Sequence, residues 1–246
     1  MKNRVTDVVL FLFLLPGLAP AQSTRPDEVP YRRMNALGVT TNTNSGLLGG
    51  VLLRQTKALV PDKTDRYLSL ELVNVKHPKE RAYSLGNGNQ FILGKQDYLF
   101  ALRGQWGREW TLFHRSDAGS IQLDGILAGG PTLGLLKPYF VQVVYRRNPF
   151  QTLEVPYEPN LERDRNVVIV GGGSLFRGFD QLSVVPGLNV KAAVAIELDA
   201  FDRNRIGLET GFLLEAYSRE VVIIPEASNR SVFTSGYLTL FFGFQR

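Results

Sequence analysis

The chain has 246 residues, with 28 Lys and Arg against 23 Asp and Glu for a net charge of +5, which is room for one barrel-sized domain or two small ones. Hydrophobic residues make up 44% and charged residues 21%, ordinary values for a folded chain that exclude wholesale disorder. There is no Cys and there are only two His, which excludes disulfides, thiolate metal sites, a cysteine nucleophile and an all-histidine zinc site.

Lys2 and Arg4 precede the apolar run Val8 to Leu18 (VVLFLFLLPGL) and the small-x-small site Ala19-Pro20-Ala21. That order predicts a secretory signal peptide over residues 1–21. The run is well short of the roughly 20 residues that span a bilayer, and no later run approaches that length, so a helical membrane protein is excluded. Residues 22–33 (QSTRPDEVPYRR) are polar and read as a periplasmic leader, leaving 34–246 as the folded unit.

From residue 34 onward, apolar residues recur with period two, the strand period. Leu188, Val190, Ala192, Val194, Ile196 and Leu198 share one face, while Lys191, Glu197 and Asp199 occupy the other. After Asp202-Arg203-Asn204 the alternation resumes, with Ile206, Leu208, Phe212 and Leu214 opposed to Glu209 and Glu215. Strands are predicted at 34–43, 46–56, 66–76, 97–114, 120–145, 183–200, 205–218 and 231–244. The connections 77–96, 146–182 and 219–230 are long, whereas 115–119 and 201–204 are short. Asn44-Ser45 is a tight turn, and 57–65 is of middling length. Long and short connections at alternate ends predict an all-β, up-and-down antiparallel barrel of eight strands with long external loops. Asn87-Gly88 predicts an extended hairpin within 77–96, and Gly171-Gly172-Gly173-Ser174 reads as a loop hinge.

Period two is shared by membrane barrels and by soluble lipocalin-like barrels, whose apolar face turns inward. Several features favour the lipid-facing arrangement. Tyr67, Tyr98, Trp106, Trp110, Tyr139, Phe140, Tyr145 and Tyr237 lie near strand ends, where interfacial girdles are needed. The polar faces are rich in Gly and Ala, including Gly130, Gly134, Ala193, Ala195, Gly207 and Gly211, which suit a crowded interior. The strands exceed the usual soluble length of about 5–6 residues.

The signal peptide, the alternating strands and the terminal series Leu238, Leu240, Phe242 and Phe244 resemble the small OmpA/OmpX-type outer-membrane barrels of Gram-negative bacteria. In that family the terminal apolar series ends on Phe, whereas this chain continues with Gln245 and Arg246. The resemblance implies a transmembrane barrel in the outer membrane and brings no catalytic residues.

With polar faces turned inward, Arg54, Glu71, Arg103, Glu109, Asp124, Lys191, Glu197, Glu209 and Glu215 fall in the lumen, six acids against three bases. An eight-strand barrel is wide enough only for side chains, so these groups must pair, bind water or neutralise. A packed charge plug is one expectation; a narrow cation path, as in a channel or transporter, or a site holding a proton is the other. Strict alternation aims Arg108 at lipid, and a bulge at Gly107 would re-aim it.

His114-Arg115-Ser116 has the His-x-Ser spacing of barrel lipid A deacylases, which makes a lipid-modifying enzyme a minor alternative. His77 reads as a loop residue. No metal site, cofactor or nucleic-acid surface is expected. Lys76, Lys79, Arg81 and Lys95 form a basic cluster at the second external loop that could meet lipopolysaccharide phosphates. The leading expectation is a non-enzymatic outer-membrane barrel, in contact with outer-membrane lipid and lipopolysaccharide, whose external loops meet a protein partner or shape the envelope. A soluble periplasmic barrel carrying an apolar ligand is the reading outside the membrane.

Overall fold

The structure is a computed structural model that describes residues 33–46, 49–60, 63–113, 121–201 and 204–245. The predicted signal peptide, most of the leader and His114-Arg115-Ser116 lie outside those residues. Eight long strands form the framework: β1 (Arg33–Asn42), β2 (Gly50–Val60), β3 (Thr64–Val75), β6 (Asp97–Phe113), β7 (Gln122–Pro138), β11 (Ser183–Phe201), β12 (Asn204–Val221) and β13 (Arg230–Gln245). Each pairs antiparallel with its neighbours in chain order, and β1 pairs with β13, so the sheet closes as a ring. We call the end where β1 starts the near end. β2, β6 and β11 end there and β3, β7 and β12 begin there, and the long connections lie at the far end.

The closure geometry follows from the strand register. Starting at Leu123 and stepping sideways through cross-strand partners, the path meets Ile196, Leu208, Leu240, Val39, Val51, Leu72 and Leu102. It returns to β7 at Leu133, ten residues beyond its starting point. A shift of ten around eight strands tilts them by about 40° and gives a backbone cylinder about 8 Å in radius. That bore is filled by side chains.

Alternation then decides what faces where. The sideways path from Leu123 to Leu133 consists only of Leu, Ile and Val, and all of them point out of the ring; Leu240, at 58% exposed, is one of the barest. A second outward row, Leu198, Ile206, Phe242, Leu37, Leu53 and Leu70, runs beside it. Inward positions are held by charged and small residues, with Ala193, Ala195 and Ala128 buried among them, and by an apolar cluster of Met34, Leu52, Tyr67, Ile126 and Phe241.

The predicted strand 120–145 is two elements. At Tyr139 the chain leaves the ring, and β8 (Phe140–Tyr145) joins β9 (Asn148–Pro156) and β10 (Val167–Gly172) in a separate three-stranded sheet, order β10-β8-β9. A change of partner marks the junction: Pro138 still pairs with Asp97 on β6, whereas Phe140 pairs with Pro156 on β9. The hairpin expected at Asn87-Gly88 is present as β4 (Ala82–Ser84) and β5 (Gln90–Ile92), with Gly88 at φ 83°, a turn conformation that glycine adopts without strain. Its tip docks on β10, where Asn87 and Asn89 each donate a side-chain N–H to the Val170 carbonyl at 2.9 Å.

These pieces form an ordered cap. Phe91, Tyr139, Val141, Val143 and Tyr157 are its buried core. The Tyr139 and Tyr157 hydroxyls accept from the backbone N–H groups of Ile92 and Gly94, at 3.0 and 3.1 Å. The glycine run read as a hinge is a packing device. Gly171 and Gly172 belong to β10, and a Cβ at Gly173 would strike Phe140 at 2.8 Å.

Three further expectations are corrected. No bulge occurs at Gly107: the register with β3 runs evenly from Thr64 opposite Trp110 to Val75 opposite Leu99, and the irregularity lies between Thr111 and Phe113. Arg108 therefore points outward. Tyr67 and Tyr237 are inward residues rather than girdle residues, because Tyr67 shares parity with Ser69 and Glu71, and Tyr237 with Thr239. Tyr139 and Phe140 are buried in the cap rather than exposed at a wall.

Candidate functional site

The interior gathers the ionisable groups. Arg54, Glu71, Arg103, Glu109, Asp124, Lys191, Glu197, Glu209 and Glu215 are all buried inside the ring. Lys191 Nζ donates to Glu209 at 2.7 Å, to Glu71 at 3.1 Å and to the Tyr67 hydroxyl at 2.7 Å. Arg103 grips Glu215 through two nitrogens, at 2.8 and 2.6 Å, and reaches Glu71 at 3.4 Å. Arg54 donates to Glu109 and lies 3.4 Å from Glu197 and 3.5 Å from Glu209. Its guanidinium also stacks over the Phe241 ring, 4.5 Å from the centroid.

Strand pairing produces this convergence. Inward positions two residues apart on one strand face inward positions on strands across a bore of about 8 Å radius, within reach of Lys and Arg side chains. The reading from residues omitted Arg205, which binds Glu197 at 2.9 Å. Its signal was available, since Ile206 is outward and its neighbour must turn inward. It also missed the neutral chain beside the charges, in which Ser69 donates to Gln105, Gln105 to Asn189, and Asn189 to Thr132, at 2.7, 3.0 and 2.9 Å. Burial strengthens each of these contacts and makes each loss costly.

Carboxylate oxygens of Glu109, Asp124 and Glu197 lie within 4.8 Å of one another. They are the residues that could hold a hard cation. Arg54 and Arg205 already bring positive charge to two of them, and Gln122 donates to the third at 2.9 Å.

The far mouth is filled by the chain itself. Ile223, Ile224 and Val221 pack against Val75, Leu99, Leu136 and Val185, with Ile223 at 0% exposed. Asn229 holds this plug: its side-chain oxygen accepts from Ile223 N–H at 3.0 Å, and its amide donates to the Ile224 and Ala227 carbonyls. Asn229→Ala is expected to free the segment 222–229, because buried backbone groups lose their partners at about 1–3 kcal/mol. Limited proteolysis should then cut within 222–229 of the variant and leave the parent intact.

The loop cluster separates. Lys76, Lys79 and Arg81 are exposed, whereas Lys95 is 1% exposed, bound to Glu80 at 2.8 Å and seated over the Tyr98 ring at 3.9 Å. Burial lowers the Lys95 pKa below the usual lysine range, against the pull of Glu80. Lys95 is therefore a structural cation of the cap and no part of an outer basic surface. His77 accepts from the Lys79 N–H through Nδ1 at 3.1 Å. Its Nε2 then carries the proton and donates to the Ser228 carbonyl at 3.2 Å, tying the far-end loops 76–96 and 222–229 together.

Neither a family model nor a curated protein matches the chain. The fold and the interior therefore carry the functional argument: a closed antiparallel ring, apolar outside and charged within.

Proposed function

We propose that this chain is a non-enzymatic transmembrane β-barrel of a bacterial outer membrane, whose closed wall anchors an ordered external cap. The observation that carries the reading is the unbroken outward belt of Leu, Ile and Val from Leu123 round to Leu133. Soluble proteins rarely expose apolar patches beyond a few hundred Å², and a belt around a whole wall is what acyl chains solvate. Two exposed indoles, Trp106 and Trp110, on the same outward face of β6 support the reading, since Trp favours membrane interfaces.

The far-end plug and the paired interior support a closed barrel over a conduit. The cap, rather than the bore, is then the surface offered to a partner or to lipopolysaccharide. Discrete conductance steps are not expected from the purified protein in planar bilayers. Steady steps that vanish with Glu209→Ala would favour the channel instead.

Fractionation tests the membrane itself. The protein is expected to stay with outer membranes through a carbonate wash and to change gel mobility when boiled in detergent. Release into the soluble periplasm would overturn the reading.

A further inference from the structure

The outward wall carries charge in one conspicuous place. Arg33 lies opposite Lys57, Lys57 opposite Arg66, and Arg66 opposite Arg108. The four cations thus form a continuous row across β1, β2, β3 and β6, and all share the outward parity of Leu37, Leu53, Leu68 and Trp106. Among the described residues, these are the charges on the outward face of the near half of the ring, and none of the four is ion-paired with another described residue. Like charges directly opposite one another repel, so the row is electrostatically incomplete by itself. Because the strands tilt by about 40°, a row crossing three strand gaps climbs about 9 Å from the rim.

Directly above it lies a groove of about 730 Å³ in the outer wall. Leu53, Leu68, Leu70 and Trp106 flank it, and Gly104 forms its floor. A Cβ at Gly104 would meet only Pro131, at 3.7 Å, so the missing side chain leaves the dent open. The row next to the cations holds a polar pair, in which Gln55 donates to Asn35 at 2.8 Å, and continues sideways into Leu68 and Trp106. Along β1 and β2, moving away from the rim, the wall therefore presents cations, then amides, then apolar residues. An anionic glycerophospholipid has the same sequence of phosphate, ester carbonyls and acyl chain.

We infer that this face binds one anionic glycerophospholipid, with its phosphate on Arg33, Lys57, Arg66 and Arg108 and an acyl chain in the groove over Gly104. The inference rests on the transmembrane reading, since a lipid reaches this wall only there. Charge complementarity selects the headgroup, and long Arg and Lys side chains can reach from the apolar wall to the phosphate level.

The test is native mass spectrometry of the barrel released from detergent micelles holding equal phosphatidylglycerol and phosphatidylethanolamine. The parent is expected to retain phosphatidylglycerol about tenfold over phosphatidylethanolamine, a modest selectivity for four cations near a headgroup. Arg33→Gln/Lys57→Gln/Arg66→Gln/Arg108→Gln should equalise the two lipids. Gly104→Leu, which fills the slot and leaves the cations in place, should reduce retention of both. Equal retention by the parent, or selectivity that survives the fourfold change, overturns the inference, and Arg66→Gln alone serves if the fourfold variant does not fold. Heat-shifted mobility after insertion into phosphatidylcholine vesicles is read in parallel. A barrel that inserts yet shows no selectivity loses only the lipid site, whereas one that inserts into no vesicle loses the membrane reading with it.

Discussion

Arg54→Met is expected to lower the unfolding free energy by about 3–5 kcal/mol, the cost of leaving a buried charge without its partner. Arg54 serves three carboxylates, which are not equally dependent on it. Glu197 keeps Arg205 at 2.9 Å, and Glu209 keeps Lys191 at 2.7 Å and the Tyr237 hydroxyl at 2.6 Å. Glu109 has Arg54 as its ion-pair partner among the described residues, and Asp124 and Glu197 crowd it on the other side. A second change, Glu109→Gln, should therefore recover most of what Arg54→Met loses. Urea titration of the vesicle-embedded barrel, followed by fluorescence of Trp106 and Trp110, measures both. A loss below about 1 kcal/mol would remove the network from the account of stability. A loss that Glu109→Gln does not relieve would assign the effect to the stacking of Arg54 on Phe241.

The second large effect belongs to the wall. Leu240 stands midway along the apolar belt, between Leu208 and Val39, and Leu240→Arg is expected to cost about 2–4 kcal/mol if that position faces the middle of a bilayer. Leu59→Arg, at the near rim of β2, should cost only about 0–1 kcal/mol, because the penalty falls off toward the interface. Measured in the same vesicles, the difference between the two is the prediction. Equal and small effects would mean that the belt meets water, and the transmembrane proposal would fail.

Much of the ring was legible because its information is local. Parity along a strand needs no knowledge of partners, so the alternation from Leu188 to Leu198 and from Ile206 to Leu214 places β11 and β12 within a few residues. Tyr67 and Tyr237 were misplaced when aromatic character was weighed above parity. A buried tyrosine offers its ring to the interior and its hydroxyl to a charge, as Tyr67 does to Lys191. Lys95 looked like a solvated loop cation because the Tyr98 ring and Glu80 that cover it are assembled only when the cap folds. The departure at Tyr139 and the row from Arg33 to Arg108 depend on which strands become neighbours. That is a property of register, invisible to a pattern read along one segment.

Ring closure also has a kinetic side. Thr239 and Thr40, 199 residues apart in the chain, hydrogen-bond across the seam between β1 and β13. Contacts that distant cannot form until nearly the whole polypeptide is present, and topologies dominated by them fold slowly. Until β13 arrives, both seam edges offer unpaired N–H and C=O groups, the template on which strands of other molecules add. A nascent chain stalled before residue 230 is thus an aggregation hazard, and safe passage to a finished ring requires that something shield those edges in transit.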